Sequence, residues 1–284
     1  MTAEVINGKE LAKDLREEMK QEVTALKDEG ITPHLTVVLV GDNPASKSYV
    51  SGKKKACEET GISSEIITMP ATASEEELLE VIDKLNADDA VHGILVQLPL
   101  PEQIDEDRVI EAITPAKDVD GFHPINIGRM MTGKDTFLPC TPYGIVRMLK
   151  SRNIQIEGKH VVVLGRSNIV GKPVGQLLLN ENATVTYCHS RTPDLAAFTK
   201  DADILVVAIG KAHVIGAEHI KEGAVVIDVG VNRIEDGSLT GDVDFEAAKE
   251  KASYITPVPQ GVGPMTITML LENTIKSAKG VLQY

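Results

Sequence analysis

Short apolar runs rich in β-branched residues alternate with helix-patterned segments along almost the whole chain, which restricts it to an α/β fold with largely parallel sheets. Leu35-Thr-Val-Val-Leu-Val40, Gly93-Ile-Leu-Val-Gln-Leu98 and His160-Val-Val-Val-Leu-Gly165 read as buried strands, as parallel sheets require. Further strands are expected near 64–68, 183–187, 204–208, 225–229 and 254–255. Helices are expected over 9–29, where Leu11, Leu15, Met19, Val23 and Leu26 recur at helical spacing, over 75–85, and over 264–279. The stretch 114–142 is rich in proline and glycine and is expected to join two domains, which 284 residues can supply with separate cores. The rhythm after residue 160 is that of a doubly wound nucleotide-binding domain. The last helix follows the completed sheet and is expected to fold back on the first domain.

Composition narrows the function classes. A formal charge of −13 argues against a nucleic-acid-binding surface, because phosphate contacts need clustered cations. No apolar run approaches a membrane span, and the first eight residues lack the basic and apolar regions of a secretory leader. The three cysteines, Cys57, Cys140 and Cys188, are scattered, which fits a reducing cytosol rather than a disulfide framework. Seven dispersed histidines give no metal-ligand spacing, so no metal is expected.

A helix is expected over 44–60, with Asn43 as cap, Pro44 in the first position and Gly61 as exit. On it Lys54 can meet Glu58 and Lys55 can meet Glu59, four residues on. Lys53 has Tyr49 on one side and Cys57 on the other, with no carboxylate at that spacing. Two readings stand: a solvated basic face shared by all three lysines, or, if the fold buries Lys53, a proton-transfer group beside a phenol.

Gly165-Arg-Ser-Asn-Ile-Val-Gly171 follows a buried strand and opens a helix, the context of a dinucleotide loop. It departs from the usual glycine fingerprint at Ser167 and Ile169, and glycine-rich turns also serve packing alone. The next strand ends Tyr187-Cys-His-Ser190-Arg191-Thr192, without the acid that holds the ribose in NAD-selective sites. Ser190 and Arg191, with Arg166, suit the extra phosphate of NADP, so the joint pattern favours NADP.

Four more segments exceed what turns require: Val96 to Pro101, Lys117-Asp-Val-Asp120-Gly-Phe122, Pro139-Cys-Thr-Pro142, whose Thr141 is expected to cap a helix, and Thr256 to Thr266. Each on its own is also plain turn chemistry. Taken in order with Tyr49/Lys53, Gly165 to Pro173 and Gly241-Asp-Val-Asp244, they closely resemble the bifunctional methylenetetrahydrofolate dehydrogenase/methenyltetrahydrofolate cyclohydrolase family over essentially the whole chain. One departure is visible. Gln260 stands where the family usually has glycine, and a positive φ there would strain it.

The resemblance implies a folate-binding catalytic domain at 1–139 plus 264–284 and a Rossmann-type NADP-binding domain at 140–263. It implies oxidation of methylenetetrahydrofolate with NADP and hydrolysis of the methenyl product to formyltetrahydrofolate, in one cleft between the domains. In that scheme Lys53 is the acid/base group and Tyr49 supports it, while Gln97 bonds the lysine and helps hold it neutral. Asp120 binds the pterin, and Leu98, Pro99, Gly261 and Pro264 line the substrate side. Gly165, Arg166, Ser167, Ser190, Arg191 and Val231 would meet the cofactor, with Cys140 and His189 structural. A cytoplasmic homodimer acting on tetrahydrofolate one-carbon derivatives is implied, with no nucleic-acid or membrane partner. Rival readings are a single-activity enzyme on the same scaffold, kept open by Gln260, and a non-catalytic NADP-binding module. A dehydrogenase of small keto or hydroxy acids would need a cationic or histidine pair that is not evident.

Overall fold

The computed structural model describes residues 2–284. In chain order the elements are β1 (Glu4–Val5), α1 (Gly8–Asp28), β2 (His34–Val40), α2 (Pro44–Thr60), β3 (Ser63–Met69), α3 (Glu75–Ala87), β4 (Gly93–Val96), α4 (Glu106–Ala112), α5 (Pro124–Met131) and α6 (Cys140–Ser151). There follow β5 (His160–Leu164), α7 (Gly171–Asn180), β6 (Thr184–Cys188), α8 (Ala196–Thr199), β7 (Ile204–Val207), β8 (Val225–Asp228), β9 (Asn232–Arg233), β10 (Leu239–Thr240), α9 (Phe245–Lys249), β11 (Tyr254–Ile255) and α10 (Val262–Ala278). This is the two-domain α/β architecture with parallel sheets that the alternation predicts.

One compact unit comprises Asp14–Leu138 with Ile267–Tyr284. Its sheet has the order β3-β2-β4, all parallel, with Val37 opposite both Ile66 and Leu95. The central strand β2 is buried on both faces, Thr36 included. Val38, Val40, Leu78, Ile82, Ile94 and Val109 belong to the core on one side of that sheet. Complete burial of such a side chain is worth about 1.5–3 kcal/mol. Helix α3 is stopped and started by side chains: Ser74 and Glu77 form a capping box, and the Lys117 ammonium donates to the carbonyls of Leu85, Asn86 and Asp88 at its exit. The C-terminal segment packs into this unit, with Asn273 Nδ2 donating to the carbonyls of Val119 (2.9 Å) and Leu138 (3.0 Å).

The other unit comprises the N-terminal segment up to Lys13 and Pro139–Thr266. Its sheet order is β1-β11-β8-β7-β5-β6, entirely parallel, so the chain reverses direction of growth between β5 and β7. A sheet of this kind binds ligands outside the carboxyl ends of its strands at that switch point.

Three expectations differ from the structure. By their contacts residues 2–13 go with the six-stranded sheet rather than with the unit that holds β2–β4: β1 pairs with β11, Ile6 N donates to Ile255 O, and a Cβ on Gly8 would overlap the Gly261 carbonyl. A two-residue strand carries no periodicity, so its partner was not readable. Met1, where the expected domain starts, lies outside the described residues.

The stretch 114–142 does join the two units, which part at Leu138/Pro139, and it is itself folded. It holds a parallel bridge from Asp118 to Ile94, then α5 and the start of α6, because Pro124 serves as a helix N1 residue and Gly121 and Gly133 make left-handed turns. Strand β4 ends at Val96 rather than Leu98, since Pro99 has no N–H for the ladder. Thr141 does not cap α6, which begins at Cys140. Its hydroxyl meets that of Thr266 at 2.9 Å instead.

Candidate active site

Helix α2 delivers Lys53. The Asn43 carboxamide oxygen accepts from Ala45 N (2.9 Å) and Ser46 N (3.3 Å), Pro44 starts the helix, and Gly61 ends it at φ 80. Its buried stripe is Ser46, Val50, Lys53, Cys57 and Thr60, so Lys53 occupies a core-facing position at 9% exposure while Lys54 and Lys55 face solvent. The expected Lys54–Glu58 and Lys55–Glu59 pairs are not formed among the described residues; Glu59 instead meets Arg16 at 3.1 Å. Tyr49, one turn before Lys53, is 46% exposed.

Gln97 meets the lysine from the end of β4. Lys53 Nζ donates to Gln97 Oε1 at 2.9 Å, and Gln97 Nε2 donates to Leu98 O at 2.7 Å. The Leu98 carbonyl thereby fixes which end of the amide faces the lysine, since only the oxygen can accept. Leu98 and Pro99 follow directly, joined by a cis peptide bond.

Asp120 lies half-buried in a loop built by its neighbours. Asp118 is buried, and its carboxylate accepts from Gly121 N (3.2 Å), Phe122 N (3.3 Å), His123 N (2.8 Å) and Asn126 Nδ2 (2.7 Å). Burial pushes the Asp118 carboxyl up to about 7, against those N–H donors. Asn126 is completed by Thr136 Oγ1 (2.6 Å) and Tyr284 OH (2.7 Å), both donating to its oxygen. A Cβ on Gly93 would come within 2.8 Å of Val119 Cγ2, so β4 and the loop pack without a gap. Of the two carboxylates in Lys117 to Phe122, Asp118 is a builder of the loop. Sequence reasoning did not assign it that role, nor did it find Asn126, Thr136 or Asn273.

In the other unit the turn after β5 is shaped by close approach. Gly165 has φ 131, and a Cβ there would overlap the Ala208 carbonyl; one on Gly171 would overlap the Gly165 carbonyl. Glycine at both positions lets the chain turn tightly from β5 into α7, the strand–turn–helix context in which backbone N–H groups at a helix start meet pyrophosphate, so the residues present fit a dinucleotide. The Ser167 hydroxyl accepts from Val170 N and Gly171 N, both at 3.2 Å, which holds the turn in place. Arg166, Ser190 and Arg191 are exposed, and the turn carrying the last two is tied by His189, which accepts Arg191 N at 3.2 Å and whose N–H meets Thr192 Oγ1 at 3.0 Å.

At the far side of the switch point, two buried aspartates organise the loops. Asp228 ends β8 and accepts from Gly230 N, Asp242 N and Val243 N at 2.9–3.0 Å. Burial pushes its carboxyl up to about 6 against those three bonds. Asp242 accepts from Ile209, Gly210 and Lys211 N and from Asn232 Nδ2. Val231 lies between Gly230 and Asn232 and is 47% exposed.

The segment 256–266 is held from the N-terminal side, with Lys9 N donating to Gln260 O at 3.0 Å. A Cβ on Gly261 would overlap the Pro257 carbonyl. Pro264 lies half-buried in the first turn of α10. Gln260 has φ 83, so the strain conditional on a positive φ applies. Gln260→Gly is expected to stabilise the fold by about 1 kcal/mol, because the left-handed cost exceeds the entropy that glycine adds to the unfolded chain. Urea unfolding of the two proteins measures it, and a variant less stable than the parent contradicts it.

Comparison with known proteins covers nearly the whole chain. Residues 6–120 match the catalytic domain of tetrahydrofolate dehydrogenase/cyclohydrolase, and 139–282 match its NAD(P)-binding domain. The latter match runs by sequence continuity through α10, whereas the contacts of Asn273 place that helix from Ile267 on with the catalytic unit. The chain is 70% identical over 279 residues to the bifunctional protein FolD of Oceanobacillus iheyensis, covering 98% of each. Among solved structures it is similar to the bifunctional FolD enzyme of Campylobacter jejuni, with a TM-score of 0.97 at 52% identity over 99% of this chain and 100% of that one. It is also similar to the Trypanosoma brucei FolD complexed with NADP and an inhibitor, with a TM-score of 0.95 at 40% identity over the full length of both.

Proposed function

The chain belongs to the tetrahydrofolate dehydrogenase/cyclohydrolase family, and from that premise we infer that it oxidises 5,10-methylenetetrahydrofolate with NADP and hydrolyses the 5,10-methenyl product to 10-formyltetrahydrofolate. The observation that carries the reading is the hydrogen bond from Lys53 to Gln97 at a core-facing position of α2. A lysine is rarely placed there for stability alone, because burying its charge is costly.

Lys53 acts in the hydrolysis. Its amine takes a proton from the water that attacks the methenyl carbon and returns one as the ring's C–N bond opens, so it must be able to exist neutral. Gln97 supports this by offering an oxygen, which accepts equally from an amine or an ammonium and adds no negative charge. Tyr49, a turn away on the exposed side, supports and orients the lysine. Asp120 accepts from the amino and amide donors of the pterin, held ready by the Asp118 network. Leu98, Pro99, Gly261 and Pro264 contact the rest of the substrate.

When bound, NADP supplies the hydride acceptor. Gly165, Arg166 and Ser167 hold its phosphates, Ser190 and Arg191 its additional phosphate, and Val231 the nicotinamide. A guanidinium on a phosphate makes paired charge-assisted bonds, whereas a ribose diol needs an acid that the end of β6 lacks. Preference for NADP over NAD follows. The protein works as a homodimer in the cytoplasm, supplying one-carbon units to purine, methionine and histidine synthesis. Among the described residues no helix is long and apolar enough to cross a membrane.

An absorbance assay with methylenetetrahydrofolate plus NADP or NAD follows methenyl formation and decay together. Formation and decay with NADP, faster than with NAD, is the expected result. Clear preference for NAD overturns the cofactor assignment, and formation without decay overturns the second activity.

A further inference from the structure

The Gly241-Asp-Val-Asp244 segment recurs in the motif order but has no part in the roles above, and its second residue is fully buried. Both oxygens of Asp242 are used up. Oδ2 accepts from Ile209 N (2.6 Å) and Gly210 N (2.9 Å), and Oδ1 from Lys211 N (2.9 Å) and Asn232 Nδ2 (2.8 Å). The first three donors follow β7 and the fourth follows β8. Asp228 ties in the remaining side: it accepts from Gly230 N, just before Val231, and from Asp242 N itself. Glycine at 230 and 241 is needed for this contact, since a Cβ on either would overlap the facing aspartate side chain.

The carboxylate therefore has no acceptor capacity left for a ligand, yet it joins the two loops at the carboxyl ends of β7 and β8. Those ends lie beyond the switch point, on the side away from β6. We infer that Asp242 is a positioning residue for the dehydrogenase step, holding the loops after β7 and β8 in one arrangement so that Val231 is presented to the nicotinamide. The inference rests on the functional reading above. Hydrolysis of the methenyl substrate needs no nicotinamide, so the two activities respond differently to its loss.

Asp242→Asn tests this. The amide nitrogen would face two N–H donors and lose at least two bonds of the charge-assisted kind. Hydrogen exchange of the protein without cofactor is expected to speed up about tenfold or more at residues 209–211, with the rest of the sheet unchanged. NADPH affinity by fluorescence titration falls about tenfold, and dehydrogenase kcat/KM falls about a hundredfold. Cofactor-free methenyl hydrolysis stays within about twofold of the parent. Asn232→Ala, which removes one bond from a half-buried residue, shifts NADPH affinity and dehydrogenation in the same direction by less, and carries the test if Asp242→Asn does not fold. Unchanged exchange and NADPH affinity in a folded Asp242→Asn overturn the inference, as does a parallel fall of both activities with faster exchange throughout the sheet. A parent protein that does not reduce NADP overturns the functional reading, and is recognised before any variant is assayed.

Discussion

Lys53→Ala is expected to abolish methenyltetrahydrofolate hydrolysis, a loss on the order of a thousandfold, the usual range for a positioned acid/base group. The fold should survive. Truncation leaves Gln97 Oε1 without its donor, costing about 1–2 kcal/mol, but it also removes a nearly buried amine from the inner face of α2. Circular dichroism and urea unfolding check folding while the decay of methenyl absorbance reads the chemistry. Lys53→Arg sharpens the result, because a guanidinium keeps the positive charge and cannot give up its proton near neutral pH. It should be as inactive in hydrolysis as the alanine variant. Hydrolysis near the parent rate in either protein removes the lysine from its role.

Asp120→Ala is expected to lower both activities together, by about ten- to a hundredfold in kcat/KM, the worth of one or two hydrogen bonds to a charged acceptor. Both steps need the same pterin held in place, and Asp118, the other carboxylate of the loop, is spent on backbone donors. The loop should keep its shape in the variant, since Asp118 holds Gly121, Phe122, His123 and Asn126, and Asn126 in turn meets Thr136. Loss of one activity alone counts against a shared pterin site. Loss of both with a large fall in stability would instead assign Asp120 to the scaffold beside Asp118.

Strands such as His34–Val40 and His160–Leu164 were legible because their burial on both faces leaves an unbroken apolar run. Helix α2 was legible from Asn43, Pro44 and Gly61, whose effects act within a few residues of each other. The proline- and glycine-rich stretch 114–142 was legible as the join between the units, which part at Leu138/Pro139, but its own folding was not. Its glycines and prolines serve turns and a helix start inside a packed loop, and composition does not distinguish that from a free connection. The two-residue strand β1 was invisible, because only its partner β11 defines it.

The candidate site divides along the same line. Tyr49, Lys53, Gln97 and Asp120 were found as residue types at fitting places in ordered motifs, and Gly165 and Gly171 as a turn that admits close approach. Asp118, Asp228 and Asp242 were not given roles, because a carboxylate that collects backbone N–H groups from distant loops leaves no periodic trace. By itself the sequence determined the α/β class, the capped helix that carries Lys53, and the absence of a carboxylate four residues from it, all set by local spacing. Tertiary structure alone decided that Lys53 faces inward onto Gln97 while Lys54 and Lys55 face water, since burial depends on which side of α2 the sheet covers. It likewise decided that Asp118, Asp228 and Asp242 collect backbone amides, since that depends on where the chain brings those amides.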